Sequence, residues 1–476
     1  MAKLITTTRG GRCLAVDGYV YHKQISRQFR TYWHCAQRKE FCRGRAVSTN
    51  NPLTVVKQTT HNHAPNQDAV AAREVVNNLR GLAAERPDAA PTLILRDELS
   101  QVTSVVTAQL PLRSSLRRTM NRRRQAELPP NPANPQELNI PPEYRTTLKN
   151  EPFLLYENLD DDDASTILIF ASDRNLRVLG ASQTWFMDGT FKVTPIIFHQ
   201  LFTIHGMIED SAFPLVYALV ENKEEETYYQ VLREVVAHCN ARGINIAAPD
   251  TLISDFEKAI INAGRRMFPN AQVRLCFYHL GQSSYRKVQE LGLQAAYINP
   301  ENRELKIAVH CMLSVAFVPP DDVEEVFDAL AETLPDNLQD LADYFERVYI
   351  KGIRRRRGRR TPPQYAPALW NQFEAIANNE PRTNNLTEGW HHRFNDLVGK
   401  NHPSFYHFLR ELRKENDDVE NMIMEVEMGR TVKMPQRSKY RRVNERLHRL
   451  AGRYEAMKTA GRQLDYLRAC AHNFDL

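Results

Sequence analysis

From about residue 165 the chain sets short apolar runs at close spacing, each closed by polar or turn residues. STILIFAS is a short apolar run, and TWFMDGTFKV, FHQLFTIHGMI and FPLVYALVE follow like three antiparallel strands of a meander. ETYYQVLREVVAHCNARG (226–243) has helical periodicity and stops at glycine. DTLISDFEKAIINAGRRMFP (250–269) reads as a strand running directly into a helix, and QVRLCFYHL (272–280) as a further strand with a helix after it.

The flanks have other periods. The first 65 residues are strand-like, with GYVYHKQ and RQFRTYWHC alternating apolar and polar side chains. Residues 66–85 form an amphipathic helical pattern. Residues 91–125 read as a helix, a short helix, a turn at Leu110-Pro111 and a basic helix. The proline-rich 128–144 stretch predicts an extended linker, placed at 128–150. After residue 300 the pattern is mostly helical, interrupted by an arginine block and TPPQYAP (361–367). It resumes as a helix over 378–400 and ends in a charged helical tail, 406–476. No fixed-period repeat is present.

Composition narrows the class. A chain of 476 residues with 42% hydrophobic and 25% charged content suits a soluble protein of about two to four domains. No apolar run is long enough to span a bilayer, and MAKLITTTRGGRC lacks the apolar segment of a signal peptide, so intracellular residence is expected. Seven cysteines are an odd set, and reduced thiols point to metal binding for any that cluster. The net charge of +6 is unevenly spread: RSSLRRTMNRRR (113–124) and KGIRRRRGRR (351–360) read as polyanion contacts or import signals, or as solvated basic loops.

Cys35, Cys42, His61 and His63 make a tetrahedral zinc set of two thiolates and two imidazoles. Their C-x6-C and H-x-H spacings suit a β-rich finger rather than a helical one. Cys13 and His34 are near in sequence but expected to point away. Arg38, Lys39, Arg43, Arg45 and Lys57 around the site would contact phosphates. With Phe29, Tyr32 and Trp33 at the aromatic positions, the segment resembles the FLYWCH zinc finger. The basic helix, carrying Arg113, Arg117, Arg118, Arg122, Arg123 and Arg124, resembles the second helix of a helix-turn-helix, or serves as a partner-binding helix.

Asp188 interrupts the strand pattern of WFMDGTFKV, and a half-buried carboxylate is costly unless it is paired or binds metal. Asp255, in TLISDFEKA, projects from the carboxyl end of a strand. Glu388 lies in a helix with Trp390, His391 and Arg393. Singly these acids read as a turn residue, a helix N-cap and a solvated helix face. Together, from two strands and a helix, they suit two magnesium ions, one activating the attacking oxygen and one stabilising the leaving oxygen of a phosphodiester. NLDDDDA (158–164) holds more acids but lies before the meander and reads as a solvated turn.

The element order, three strands then helix, strand, helix, strand, is that of a ribonuclease-H-like domain. WFMDGTFKV, LISDFEKA, RLCFYHL and RTNNLTEGWHHRF resemble the DDE motifs of Mutator-like element transposases over roughly residues 150–400. The resemblance implies an α/β, ribonuclease-H-like catalytic core with Asp188, Asp255 and Glu388 as ligands of Mg2+ or Mn2+. It adds a C-x-x-H pair, Cys276 and His279, near the site with His391. Cys276 and His279 read either as a buried thiol and a satisfied histidine or as a histidine that contacts DNA or orients a carboxylate. The expected organisation is a zinc finger (1–65), a helical segment (66–127), the linker, a core at 151–300 and 370–405, a helical insertion with a basic loop (301–369) and the tail. The expected function is a nuclear DNA transposase that binds terminal inverted repeats and target DNA as a homo-oligomer, without a membrane. It would cleave a phosphodiester and transfer the strand. Its rivals are a domesticated DNA-binding regulator of the same fold and a nuclease without strand transfer.

Overall fold

The computed structural model describes residues 2–6, 11–87, 89–159, 165–209, 211–354, 360–378, 380, 385–430 and 438–474. They form two units, Met1–Pro130 and Asn131–Leu476. The four acids of NLDDDDA (residues 160–163) lie outside the described residues, as does most of the arginine block.

The first unit opens with six strands, β1 (Lys3–Thr6), β2 (Arg12–Val16), β3 (Tyr19–Ser26), β4 (Arg30–Cys35), β5 (Arg45–Thr49) and β6 (Val55–Gln58). They pair in chain order, antiparallel throughout. Asp17 and Gly18 make the two-residue β2–β3 turn, both with positive φ (51° and 79°), the conformation an Asp-Gly hairpin favours. Along β4 the side chains of Thr31, Trp33 and Cys35 are buried and those between are less so, as a two-residue period requires. Trp33 Nε1 donates to Ser48 Oγ on β5 at 2.9 Å, which satisfies the ring nitrogen inside the sheet's core.

Four helices follow: α1 (Gln67–Glu85), α2 (Pro91–Leu99), α3 (Ser104–Ala108) and α4 (Arg113–Gln125). Ala72, Val75, Leu79 and Ala83 form one apolar stripe of α1, packed with Ile94, Leu95, Leu116 and Met120. One of the predicted phosphate contacts is used inside this bundle. Arg124 donates to the carbonyls of Ala83 (3.0 Å), Arg86 (2.8 Å) and Ala89 (2.6 Å). The end of α1 leaves carbonyls without helical partners, and the guanidinium supplies the donors, so Arg124 is a helix tether rather than a DNA contact. Arg113, Arg117, Arg118, Arg122 and Arg123 are exposed, Arg123 pairing with Glu127 at 3.1 Å.

The second unit is a mixed α/β fold around a seven-stranded sheet. Its elements in chain order are β7 (Leu154–Glu157), β8 (Ile167–Phe170), α5 (Asp173–Ala181), β9 (Thr184–Thr190), β10 (Gln200–Ile208), β11 (Ser211–Val220), α6 (Glu225–Ala241), β12 (Thr251–Ser254), α7 (Lys258–Met267) and β13 (Gln272–Leu275). The strand order is β13-β12-β9-β10-β11-β8-β7. The β9–β10–β11 meander is antiparallel, whereas β12 runs parallel to β9 and β13 parallel to β12. Residues on both faces of β10 and β11 are buried, because helices cover the sheet on both sides. Phe202 meets Tyr228 of α6 at 4.9 Å between ring centroids.

Helices α8 (Phe277–Glu290), α9 (Gln294–Ile298), α10 (Arg303–Ser314), α11 (Val323–Ala331) and α12 (Gln339–Phe345) follow, then a π turn at Glu346–Ile350. A short hairpin, β14 (Ile353–Arg354) and β15 (Arg360–Thr361), leads to α13 (Pro367–Trp370), α14 (Phe373–Ala377), α15 (Asn385–Val398), α16 (Phe405–Glu427), α17 (Ser438–Ala451), α18 (Tyr454–Thr459) and α19 (Gln463–Ala471). Trp390 of α15 packs on the sheet against His205 (5.4 Å) and Tyr217 (5.8 Å).

Three expectations change here. The 128–150 stretch is not a free extended linker, because from Asn131 it belongs to the second unit. Its prolines start two 3-10 turns, Leu138, Ile140 and Tyr144 are buried, and Tyr406 Oη donates to Asn139 O at 2.9 Å. The 272–280 segment is a strand only to Leu275. Its parallel neighbour ends at Ser254, the last ladder bond is Cys276 N to Ser254 O (2.9 Å), and the chain turns into α8, carrying His279 with it. The charged tail is part of a core: α19 packs on α10, and Tyr466 Oη donates to Phe317 O at 2.6 Å.

Candidate functional site

In the first unit β4 ends at Cys35, and a 3-10 turn (Ala36–Glu40) with Phe41 at φ 66° brings Cys42 back beside it. His61 and His63 arrive after β6. The ligand atoms of these four residues all lie within 4.8 Å of one another. Cys35 Sγ is 3.2 Å from His63 Nε2, Cys42 Sγ 3.3 Å from His61 Nδ1, and His61 Nδ1 3.2 Å from His63 Nε2. Tetrahedral zinc with ordinary Zn–S and Zn–N bonds has edges of about 3.3–3.8 Å, so the cluster has zinc's dimensions.

The surrounding groups select the ligand nitrogens. Tyr21 Oη sits 2.6 Å from His61 Nε2, leaving Nδ1 for metal, and His63 Nδ1 faces Ala64 O at 3.0 Å, leaving Nε2. Tyr19 stacks on His61 at 3.8 Å. A Cβ at Gly44 would fall 2.4 Å from His61 Cε1, so glycine is required beside the imidazole. Burial, and then His63, lower the His61 pKa, which favours the neutral ring a metal needs. The two decoys are elsewhere: Cys13 Sγ donates to Ile5 O at 3.2 Å, and the His34 ring faces His22 at 6.1 Å. Arg38, Lys39, Arg43, Arg45 and Lys57 are exposed.

In the second unit the parallel register of β9 and β12 pairs Met187 with Ser254. Asp188 and Asp255 each directly follow this last paired rung, at the end of a ladder whose strands lie about 4.8 Å apart. Asp188 Oδ1 accepts from Gly189 N (2.8 Å), and Oδ2 accepts from Thr387 Oγ1 of α15 (3.1 Å). His391, one turn further along α15, has Nδ1 3.6 Å from the same Oδ2. Glu388 Oε1 is 3.4 Å from His279 Nε2 at the start of α8. The three acids and both histidines are thus brought together, whereas the Cys276 side chain is buried at the head of α8. Arg393 binds Glu415 of α16, and Trp390 Nε1 donates to Glu415 Oε1 at 2.7 Å, seating α15.

Burial pushes all three carboxyls up, with like charge adding to it. Asp255 rises to about 7 through burial and then Asp188, and Glu388 to about 8 through burial and then Asp188. Asp188 is raised by burial, against the pull of His279. Burial lowers His391 to about 4 and lowers His279, so both rings are neutral. Asp255 Oδ1 is buried with no hydrogen-bond partner among the described residues. A cluster of acids that repel one another, one with an orphaned oxygen, fits a divalent cation with oxygen preference.

These shifts have a testable sign. Asp188, Asp255 and Glu388 hold their protons more tightly in the fold than in the unfolded chain. The lowered histidines oppose this up to about pH 6.5 and are neutral in both states above it, so from about pH 6.5 to pH 8 the native state binds more protons and stability falls as pH rises. Without divalent cations other than zinc, the melting temperature of the second unit should drop from pH 6.5 to pH 8.5 by on the order of 5 °C. Asp255→Asn and Glu388→Gln should each flatten the slope in calorimetry. A wild-type profile already flat would contradict the burial argument.

Sequence reading missed several partners. Thr387 was detectable, since it stands one turn before His391 on the same helix face. Gln200, Tyr228, Glu257 and Lys223 were not. Tyr228 Oη lies 2.9 Å from Gln200 Oε1 and 2.8 Å from Glu257 Oε1, and Lys223 Nζ lies 2.5 Å from Glu257 Oε2. They buttress Gly189, where a Cβ would fall 1.2 Å from Gln200 Nε2.

The geometry defines a two-part protein, a finger with a zinc-sized Cys/His cluster and an α/β unit with a triad of acids, Asp188 buried and Asp255 and Glu388 half-buried. Residues 184–283 match the MULE transposase domain, and residues 4–63 match the FLYWCH zinc finger domain. The chain is 33% identical over 82 residues to FLYWCH-type zinc finger-containing protein 1 of Homo sapiens, a stretch of 17% of this chain and 11% of that protein. The chain thus carries an N-terminal FLYWCH zinc finger and a MULE transposase domain, which point to DNA binding and to a transposase or a protein derived from one. Among the described residues no helix is long and apolar enough to cross a membrane.

Proposed function

We propose that the chain is a nuclear DNA transposase whose core is ribonuclease-H-like and whose acids are Asp188, Asp255 and Glu388. The observation that carries this reading is the register: Asp188 and Asp255 each directly follow the last paired rung, Met187 with Ser254, of adjacent parallel strands, and α15 reaches Asp188 through Thr387 and His391. The strand order, an antiparallel meander flanked by two parallel strands on its first member, supports the ribonuclease-H-like assignment. The matched transposase domain covers Asp188, Asp255, Cys276 and His279.

Asp188, Asp255 and Glu388 would hold Mg2+ or Mn2+, and such ions supply charge stabilisation at the attacking and leaving oxygens of a phosphodiester. The chain's own residues set up that chemistry. Gly189 N–H and Thr387 fix the Asp188 carboxylate, and neutral His279 lies against Glu388 and orients it. Asp255 keeps an oxygen free of donors from the described residues. In this reading residues 1–65 are the DNA-binding finger, 66–127 a helix-turn-helix-like segment, and 151–300 with 370–405 the core, acting as a homo-oligomer on terminal inverted repeats and target DNA.

The test is joining of a pre-cleaved element end to target DNA by the purified chain in Mg2+. Joined product supports a transposase; cleavage without joining supports a nuclease; sequence-specific binding with neither supports a domesticated regulator. A second outcome concerns division of labour. Deleting residues 1–130, one whole unit, should leave a folded protein that binds DNA without preference for the terminal repeats, at least about tenfold weaker at fixed salt. Retained preference in competition binding would move sequence recognition into the second unit.

A further inference from the structure

Asp188 and Asp255 border a cavity of about 520 Å³ whose other walls come from their chain neighbours (Gly189, Phe191, Phe256 and Glu257), α8, Tyr344 of α12, the π turn and residues 364–365. Five of its lining side chains are phenylalanine or tyrosine: Phe191, Phe256, Tyr344, Tyr349 and Tyr365, the last four of which form one wall. Phe256, adjacent to Asp255, meets Tyr365 edge-on at 4.9 Å. Tyr365 stacks with Tyr349 at 6.0 Å, and Tyr349 meets Tyr344 edge-on at 6.0 Å. The two innermost rings are locked, Tyr365 Oη donating to Phe256 O at 2.6 Å and Tyr349 Oη lying 2.8 Å from Ser283 Oγ. Phe256 and Tyr344 are only half-buried and leave ring surface on the cavity side.

The π turn explains how three residues of one helix reach the cavity together. Lys351 N donates to Glu346 O at 2.8 Å, a five-residue step. In an uninterrupted α-helix Tyr349 would sit well away from the face of Tyr344; the wider turn brings it into line with Tyr344 and Val348. Gln282 and Gln364, which donate and accept, stand at the border, and Arg286 is exposed beside them.

We propose that this aromatic wall is a subsite for one unpaired nucleotide of the DNA strand whose phosphate faces Asp188 and Asp255. The cavity has the volume of a small-molecule site, and its rings offer faces that a base inside a duplex cannot meet because its own neighbours cover it. The glutamine amides suit a base edge, and the Arg286 guanidinium suits the flanking phosphate. The proposal rests on the reading of the three acids as the DNA-cleaving site.

The test uses the zinc-loaded full chain in Ca2+. The probe is a short duplex with one 2-aminopurine, either paired at a blunt end or unpaired as a one-nucleotide 3′ overhang. Wild type should prefer the overhang by about tenfold and quench its fluorescence, as stacking on a ring does. Tyr344→Phe should keep both effects, and Tyr344→Ala should lose both without changing affinity for the blunt duplex. Arg286→Gln, on an exposed position, should weaken overhang binding and make it less salt-dependent. Equal binding of both probes, a quench that survives Tyr344→Ala, an equal loss in Tyr344→Phe, or unchanged binding by Arg286→Gln would each overturn the subsite. Quenching by a protein that never cleaves in Mg2+ would overturn the acid reading and keep the subsite, whereas cleavage without quenching would overturn the subsite alone.

Discussion

Asp188→Asn should reduce cleavage of an element end by about 10³-fold or more, while affinity for the same DNA in Ca2+ stays within about threefold of wild type. The substitution keeps the shape of the side chain and an oxygen for the Gly189 N–H, so β9 has no reason to move. What it removes is a buried negative charge whose protonation the fold already favours. Thermal stability should therefore hold or rise as activity falls. That pairing separates chemistry from folding: a cleavage defect caused by a collapsed site would lower the melting temperature instead. Asp255→Asn should behave alike, since its Oδ1, without a partner among the described residues, loses nothing when it becomes part of an amide. The measurements are gel-resolved cleavage in Mg2+, DNA binding and calorimetry on the same preparations. Cleavage by Asp188→Asn within about tenfold of wild type would end the case for this acid as an essential ligand.

Zinc removal should unfold the finger and leave the second unit intact. The sheet of residues 3–58 has a small apolar core of Leu14, Val16, Tyr21, Trp33 and Ala46 around the two cysteines. A core of that size cannot hold a module of about 60 residues without a staple. Metal binding to two thiolates and two imidazoles is worth on the order of 10 kcal/mol in such modules, more than the module's whole stability. A chelator, or Cys42→Ser, should therefore expose residues 11–60 to protease and shift the Trp33 emission to that of a solvated indole. The Asn131–Leu476 unit should stay resistant, since its large core shares no residue with the zinc cluster. A purified chain free of zinc whose finger still resists protease would contradict this.

Much of the site was legible because its motifs are local. The zinc set could be read from residue types and spacing, since the ligand pairs bracket single turns: Cys35 and Cys42 across one 3-10 turn, His61 and His63 two residues apart. Asp188 was visible as a carboxylate breaking an apolar strand, and Asp255 as one leaving a strand's carboxyl end. The meander was visible because β10 and β11 are long enough to set a period. Other readings failed where local pattern is a poor guide. Apolar content extended the 272–280 strand, but a parallel strand lasts only as long as its neighbour's ladder, and β12 stops at Ser254. Proline content made 128–150 a linker, but prolines also start 3-10 turns, and Leu138, Ile140 and Tyr144 between them found a helix to pack on. Arg124 looked like its five neighbours in the basic helix. Only the position of the α1 carboxyl end assigns it to the carbonyls of Ala83, Arg86 and Ala89.

By itself the sequence determined which residues carry charge, thiol or imidazole, and where strands and helices begin to be favourable, because those depend on neighbours within a few positions. The tertiary structure decided which of those groups meet. Thr387 and His391 reach Asp188 from about two hundred residues away only because Trp390 seats α15 between the sheet and Glu415. The aromatic wall of the acid cavity exists only because a π turn rephases one helix of the insertion. Such contacts depend on how whole elements pack, and long-range packing leaves no period in the chain for a reader to find.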